Sequence, residues 1–463
     1  MSALDGLRPV DFASALPGAD YGEVYLEDSG GISVLFEDSR VEDLTAGSER
    51  GLGLRYLKKE GKTVRTLQGS ANTLDPREAL RLRSGLFNGQ AAGAAAPLGA
   101  LQSFRHPIRL DPACVPLEDK IALLRAVDRD VRDNFPHIRQ ISLTYGERRK
   151  DVLLLNTEGS ALREQRTTVI FAVSVVTEKD GVLQTGMEVL GALKGYELLS
   201  DSDPFAAARG AARRALAKLA APKAKAGEMP IVISSSAGGT FIHEAIGHSL
   251  EVDHVQEGSS PAYSGKLGSV VAPENITVID DPTLPFYLGS FAFDDDGAPA
   301  RPTALVKNGV LTDYLYDRVC AMREGRASNG HGRRESFHCR PIPRMSNLYI
   351  APGQDDPKAI LKGLKAGLFV TRMGGGQVNT ATGEFVFEVD EGFWVEDGKI
   401  SHMVRDANLL GVGPAVLKSI DKVGWDMGWG IGTCGKDGQG VPVGDGQPTL
   451  GIPNILIGGS HED

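Results

Sequence analysis

Beyond about residue 230, glycine interrupts the chain so often that long helices are disfavoured, and this confines the second half to strands and turns. Short apolar runs such as Ile276–Ile279, Phe385–Val389 and Asn454–Ile457 lie between turn residues, which predicts a β-rich unit. Two helical exceptions are expected within it. A strand at Ile231–Ser234 passes through Ser235–Gly239 into a helix at Phe241–Glu251, and a second helix covers Asp356–Leu364. The first half alternates. Gly22–Leu35 reads as a strand (Val24, Leu26), a Ser29–Gly31 turn and a second strand (Ile32, Val34). Pro76–Phe87 and Leu117–Asn134 read as helices; in the second, Leu117, Ile121, Leu124, Val127 and Val131 recur at helical spacing behind acidic Glu118 and Asp119. Ile138–Thr144, Val152–Leu155 and Thr168–Val176 read as strands of one sheet, with a turn at Lys179–Gly181, and Pro204–Leu219 as a helix. Ala221–Pro230, APKAKAGEMP, is the expected boundary. The fold class expected is α+β in two domains: an α/β-mixed N-terminal domain, 1–222, and a glycine-rich, mainly β C-terminal domain, 223–463.

At 463 residues the chain exceeds what one ordinary core organises, and 41% hydrophobic with 24% charged residues is a balance that buries sizeable cores. A net charge of −10 argues against a nucleic-acid groove as the working surface. The longest apolar runs, such as Thr168–Val176, are too short to cross a bilayer. The opening MSALDGLRPVDFASALPGAD has Asp5 and no basic start before an apolar stretch, so no secretory signal is expected and the expected compartment is cytoplasmic. Cys114, Cys320, Cys339 and Cys434 form no CxxC pair; they are expected as reduced thiols, any of which is free to ligate a metal.

His243-Glu244-Ala245-Ile246-Gly247-His248 sets a carboxylate between two imidazoles, the residue types of a zinc site with an adjacent base. Histidines four apart lie about 40° apart around a regular helix, but the spacing of five used here puts them about 140° apart. One ion can be reached only if the helix widens into a π-bulge between Ala245 and Gly247 or bends at Gly247. The residues alone leave the third ligand open among Glu251, His254, Cys434 in GIGTCGKDGQ, and the His338-Cys339 pair. Gly374-Gly375-Gly376 reads either as a tight turn or as a place where a substrate strand approaches the backbone. Arg333 and Arg334 read either as a clamp for a peptide carbonyl or carboxylate, or as ion-pair partners of Asp294–Asp296. Ser235–Gly239 resembles a phosphate-binding turn but lacks the Gly-Lys-Ser/Thr that would follow, and His106, His137, His331 and His338 join no constellation.

Five long segments in order carry a family resemblance: HEAIGHSLE (243–251), FDDDGAPA (293–300), NGHGRRES (329–336), GGGQV (374–378) and CGKDGQGVPVGDGQPTL (434–450). Together they resemble the TldD branch of the TldD/PmbA metallopeptidases, the branch that has the HExxxH motif, over nearly the whole chain. The resemblance implies one zinc ion per chain on His243, His248 and Cys434, with Glu244 as base. It implies two-subunit assemblies enclosing the site, either a homodimer or a heterodimer with a PmbA-like paralogue lacking the motif. It also implies substrates that are unfolded peptides or precursors of ribosomally made peptide products. A β-rich wall near Gly374–Val378, including Gln377, suits an extended peptide held as an added strand. Two rival readings are a peptide-binding or chaperone-like scaffold with structural zinc, and a metal-dependent hydrolase of a non-peptide amide. An intact Glu244 argues against the scaffold, since a structural site needs no base.

Overall fold

The computed structural model describes residues 2–89, 94–379 and 381–459. In the N-terminal half, β1 (Tyr21–Glu37), β2 (Arg40–Glu60) and β3 (Thr63–Ala71) form a meander followed by α1 (Pro76–Leu86). After β4 (Gln102–Arg105) and α2 (Leu117–Asn134) come β5 (Ile138–Asn156), β6 (Ala161–Lys179) and β7 (Val182–Ala192), then α3 (Leu198–Asp201) and α4 (Pro204–Ala220). These strands make one seven-stranded sheet in the order β3-β2-β1-β5-β6-β4, with β7 on β6. Leu124, Val127 and Val131 of α2 and the alanines of α4 cover one face, against Ile141, Leu143, Tyr145, Phe171, Val173 and Val175. The helical spacing read from Leu117–Asn134 thus becomes a buried stripe.

No turn occurs at Ser29–Gly31. β1 runs straight through, pairing with β2 on one side and β5 on the other. A methyl group on Gly31 would run into the carbonyl oxygen of Glu147, so this glycine serves the close approach of β5 rather than a reversal. β5 likewise continues through the charged stretch Glu147–Asp151, joining the strands expected at Ile138–Thr144 and Val152–Leu155 into one. At the tip of the β1–β2 ribbon, side chains 40–50 of β2 are exposed, and β3 pairs only from Leu52 onward. Among the described residues that stretch of β2 has an open edge.

The second half opens with β8 (Gly227–Ile233), the short helices α5 (Thr240–Ile242) and α6 (Val252–Gln256), β9 (Val278–Asp280), β10 (Thr303–Lys307), β11 (Val310–Leu311) and α7 (Arg318–Glu324). There follow β12 (Gly332–Arg333), β13 (Ile342–Pro343), β14 (Asn347–Ile350), α8 (Pro357–Gly363), β15 (Ala366–Asn379), β16 (Glu384–Glu396) and β17 (Lys399–Val404). The chain ends with β18 (Asn408–Val412), α9 (Gly413–Ser419), β19 (Lys422–Val423), β20 (Gly428–Lys436), β21 (Gln439–Gln447) and β22 (Leu450–Gly458). β15 pairs with both β8 and β16, so β15-β8-β22-β18-β16 close on themselves into a small barrel. A second, open sheet runs β11-β10-β9-β14-β21-β20. The segment carrying the two histidines plugs into the barrel: Phe241 stacks edge-on against Phe385 and Phe387, and Ile242, Ala245 and Ile246 share their core. The two halves meet along an apolar seam of Tyr25, Val152, Leu154, Phe293 and Phe337. Beside it Arg55 is buried against Glu23 and Asp296, and Arg334 against Glu23. The architecture is α+β and multi-domain, as expected from the sequence.

Candidate metal centre

The backbone that presents the histidines changes its winding within a few residues. His243 N–H donates to the Gly239 carbonyl, an α-helical step. From His243 to Gly247 the chain is a π-helix, and His248 N–H reaches back five residues to the His243 carbonyl. A 3₁₀ turn at His248–Leu250 then ends the segment. The widened turn brings the imidazoles together with ring centroids 5.1 Å apart and planes at 86°. Gly247 is needed at this turn: a methyl group there would run into Met345 Sδ.

Cys434 enters from the other side, on β20, and is buried. Its Sγ lies 3.5 Å from His248 Nε2, and one donor atom each from His243, His248 and Cys434 fall within 4.8 Å of one another. Each ring has its other nitrogen engaged. His243 Nδ1 is 2.7 Å from Asp445 Oδ1, and His248 Nδ1 is 3.0 Å from Glu251 Oε2. A carboxylate on Nδ1 orients each ring and turns Nε2 toward the cluster, the arrangement found around metal-ligating histidines. Around a tetrahedral zinc, neighbouring donors sit about 3.3–3.8 Å apart. The 3.5 Å between Cys434 Sγ and His248 Nε2 falls in that range, and the donor chemistry suits such an ion.

The electrostatics of the three donors favour positive charge at their centre. Burial resists charge on His243, but Asp445 and the thiol of Cys434 carry its pKa well above the ordinary imidazole value. Burial likewise opposes charge on His248, yet Glu251 and Cys434 raise it to about 10. Burial alone would push the Cys434 thiol up; the hydrogen bonds from both imidazoles bring it down to about 6. A thiol so disposed is readily converted to the thiolate that a soft metal takes. Glu244 is the most open member of the group, at 25% side-chain exposure, with Oε2 3.9 Å from His248 Nε2.

Of the other ligand candidates, Glu251 is fully buried and serves as the partner of His248 Nδ1, and His254 sits 3.7 Å behind that same carboxylate. His338 is elsewhere, against Ser70 and Glu49 on the N-terminal sheet, and His331 is buried between Asp280 and Asn329. Arg333 donates to the carbonyls of Met345 and Pro442, and Arg334 to Glu23 and to the Asp295 carbonyl. Both are buried: Arg333 braces strands of the C-terminal half, and Arg334 forms its ion pair across the seam with Glu23, not with a carboxylate of Asp294–Asp296. Gly374 and Gly375 line a groove of about 800 Å³ that also borders Gly238 and Thr240 at the start of the histidine segment, Tyr287 and Trp429. Gln377 is exposed on the same strand. Gly376 has a packing reason of its own, since a methyl group there would collide with the Phe387 ring. The sequence reading missed Asp445 and Lys436. Both lie inside the CGKDGQGVPVGDG stretch that carried the resemblance, but nothing in their spacing announces which histidine a carboxylate will meet.

Two buried imidazoles, a thiolate donor and an adjacent open carboxylate are the equipment of a metal-dependent hydrolase. Comparison with known proteins gives the family. Residues 226–459 match the PmbA/TldA metallopeptidase C-terminal domain, 110–219 its central domain and 22–83 its domain 1. A Haemophilus influenzae protein named Metalloprotease TldD homolog is 34% identical, covering 96% of this chain and 93% of its own. A Methanothermobacter thermautotrophicus protein named Metalloprotease is 32% identical over 95% of this chain and 96% of its own. A Saccharolobus solfataricus protein named Zinc metalloprotease TldD homolog is 27% identical over 74% and 76%. The crystal structure of TldE from Thermococcus kodakarensis has the same fold, with a TM-score of 0.72 at 17% identity over 95% of this chain and 96% of its own. The chain belongs to the PmbA/TldA metallopeptidase family and is a metallopeptidase, a hydrolase acting on peptide bonds.

Proposed function

We propose that the chain is a zinc peptidase acting on extended peptides, with His243, His248 and Cys434 as metal ligands and Glu244 as general base. The observation that carries the reading is the convergence of the three donors, two of them held by carboxylates on their far nitrogens. A zinc ion on this set supplies Lewis acidity toward water and toward the scissile carbonyl. Glu244 takes a proton from the water that attacks the carbonyl carbon and returns it to the leaving amine as the C–N bond breaks. Asp445 and Glu251 keep both rings aimed throughout. The groove beside Gly374 and Gly375, bounded by strand β15, suits a peptide backbone lying alongside, which favours unfolded chains and precursor peptides over folded proteins. The fold shared with a TldE structure supports pairing of this chain with a second subunit of the same family, either a copy of itself or a paralogue lacking the motif. We further read residues 1–222 and 223–463 as separate domains, because strands β1–β7 make a sheet of their own.

The test uses purified chain, with and without a PmbA-like partner, on an unfolded casein-like protein and on a stably folded protein. Glu244→Gln is expected to keep its zinc and lose at least about a hundredfold in hydrolysis of the unfolded substrate. Cys434→Ala is expected to lose both zinc and activity. Full activity in the Glu244 variant, or parent-like zinc in the Cys434 variant, contradicts the assignment. Equal cleavage of the folded protein contradicts the extended-substrate reading.

A further inference from the structure

Lys436 lies two residues beyond Cys434 on β20, so both side chains emerge on the same face of the strand. It is almost fully enclosed, at 6% side-chain exposure. Its ammonium meets Glu251 Oε2 at 3.1 Å, an Asp253 carboxylate oxygen at 2.7 Å and the Pro343 carbonyl at 3.1 Å. Three acceptors saturate the three donors of an ammonium. Glu251 Oε2 is the same atom that meets His248 Nδ1, and His248 Nε2 is the atom that faces Cys434 Sγ. The links form a closed ring: Cys434 to Lys436 along the strand, Lys436 to Glu251, Glu251 to His248, and His248 back to Cys434.

We propose that Lys436 is a positioning residue of the metal centre, setting the distance and angle between the His248 ring and the Cys434 sulfur. This rests on the ligand assignment made above. Without Lys436, Glu251 has His248 and the more distant His254 on one oxygen, while its Oε1 has no hydrogen-bond partner even now. The carboxylate is then free to turn, and the imidazole turns with it. Asp445, on the strand paired with β20, does the same for His243. The β20–β21 ribbon thus contributes one ligand and aims the other two.

The experiment compares the parent with Lys436→Met and with Lys120→Met as a control. Lys120 is equally buried and makes the same kind of contacts, to Glu147 at 2.6 Å and to the Pro112 carbonyl at 2.9 Å, but it lies under the N-terminal sheet. Zinc affinity is read by competition with a chromophoric chelator, ligand geometry by the visible and thiolate charge-transfer bands of the cobalt(II)-loaded chain, and folding by circular dichroism. Lys436→Met is expected to bind zinc about ten- to a hundredfold more weakly and to alter the cobalt spectrum. Lys120→Met is expected to change stability alone. Should Lys436→Met fail to fold, Lys436→Arg takes its place in the same comparison; a planar fork cannot serve three acceptors gathered around one atom. Parent-like affinity and cobalt spectrum in the folded Lys436 variant overturn the positioning role while leaving the ligand assignment intact. A parent chain that binds neither metal overturns the assignment itself, and the positioning role with it.

Discussion

Glu23 sits between two arginines at the seam, fully enclosed. Burial opposes its charge, but Arg55 and Arg334 overcome that and hold its carboxyl at about 2. A carboxylate held below its unfolded value binds fewer protons folded than unfolded in the interval between, so its stabilisation is present above about pH 4.3 and is lost as pH falls toward 2. A shift of that size is worth about 3 kcal/mol. Glu23→Gln should therefore be markedly less stable than the parent at pH 7, with the gap narrowing between about pH 4.3 and 2; denaturant melts across that range measure it. A gap independent of pH would mean that the charge contributes nothing. At this scale the sequence was informative where chemistry is written into residue type. His243, Glu244, His248 and Cys434 are named by their kinds and by the segments around them. The pairing of Glu23 was not readable, because its partners Arg55 and Arg334, and the Asp296 that shares Arg55, come together only through the fold.

Between residue and fold, the element that decides the site is the π-turn at His243–Gly247. Arithmetic alone called for either such a widened turn or a bend at Gly247, since regular winding cannot bring histidines five apart to one ion. What the arithmetic could not supply is the support: Met345 and Leu348 pack against Gly247, while Ala245 backs onto α9 at Gly413. Gly247→Ala pushes a methyl group into that packing, and overpacking of this kind costs about 1–3 kcal/mol. The variant should melt lower and bind zinc more weakly than the parent, by thermal scan and metal analysis; parent-like values in both would mean the turn relaxes freely. Helices with clear caps and periodicity were legible nearly to the residue, as with Leu117–Asn134 and Asp356-capped α8. Long strands were not. Ser29-Gly30-Gly31 carries turn composition, yet its neighbours β2 and β5 pair with it on both sides, and tertiary pairing overrides the local signal. The same holds for Glu147–Asp151, where charged side chains find Glu27, Asp28 and Arg163 across the sheet.

For the molecule as a whole, a metal held as proposed by His243, His248 and Cys434 would tie the histidine segment to the β20–β21 ribbon. A ligand that binds only the folded state stabilises it, by about 2.7 kcal/mol when free metal stands at a hundred times Kd. Chelation should lower the melting temperature of the C-terminal transition by about 5–11 °C, at about 2–4 °C per kcal/mol for a unit of this size, and readdition of zinc should restore it. Cys434→Ala should melt at the same temperature with and without chelator; a chelator shift that survives in it would put the stabilising ion elsewhere. The remaining consequence concerns the open edge of β2, residues 40–50. An uncapped edge invites another chain to continue the hydrogen-bond ladder, and repetition of that step is how fibres grow. This edge carries Arg40, Glu42, Asp43, Glu49 and Arg50, so a second molecule arriving in most registers meets like charge or must strip water from an ion. Light scattering during prolonged incubation at high concentration should stay flat for the parent and climb for Glu42→Val/Asp43→Val, a change that leaves the buried core and the metal ligands untouched. On this reading the charges at the ribbon tip set how long a concentrated solution stays clear.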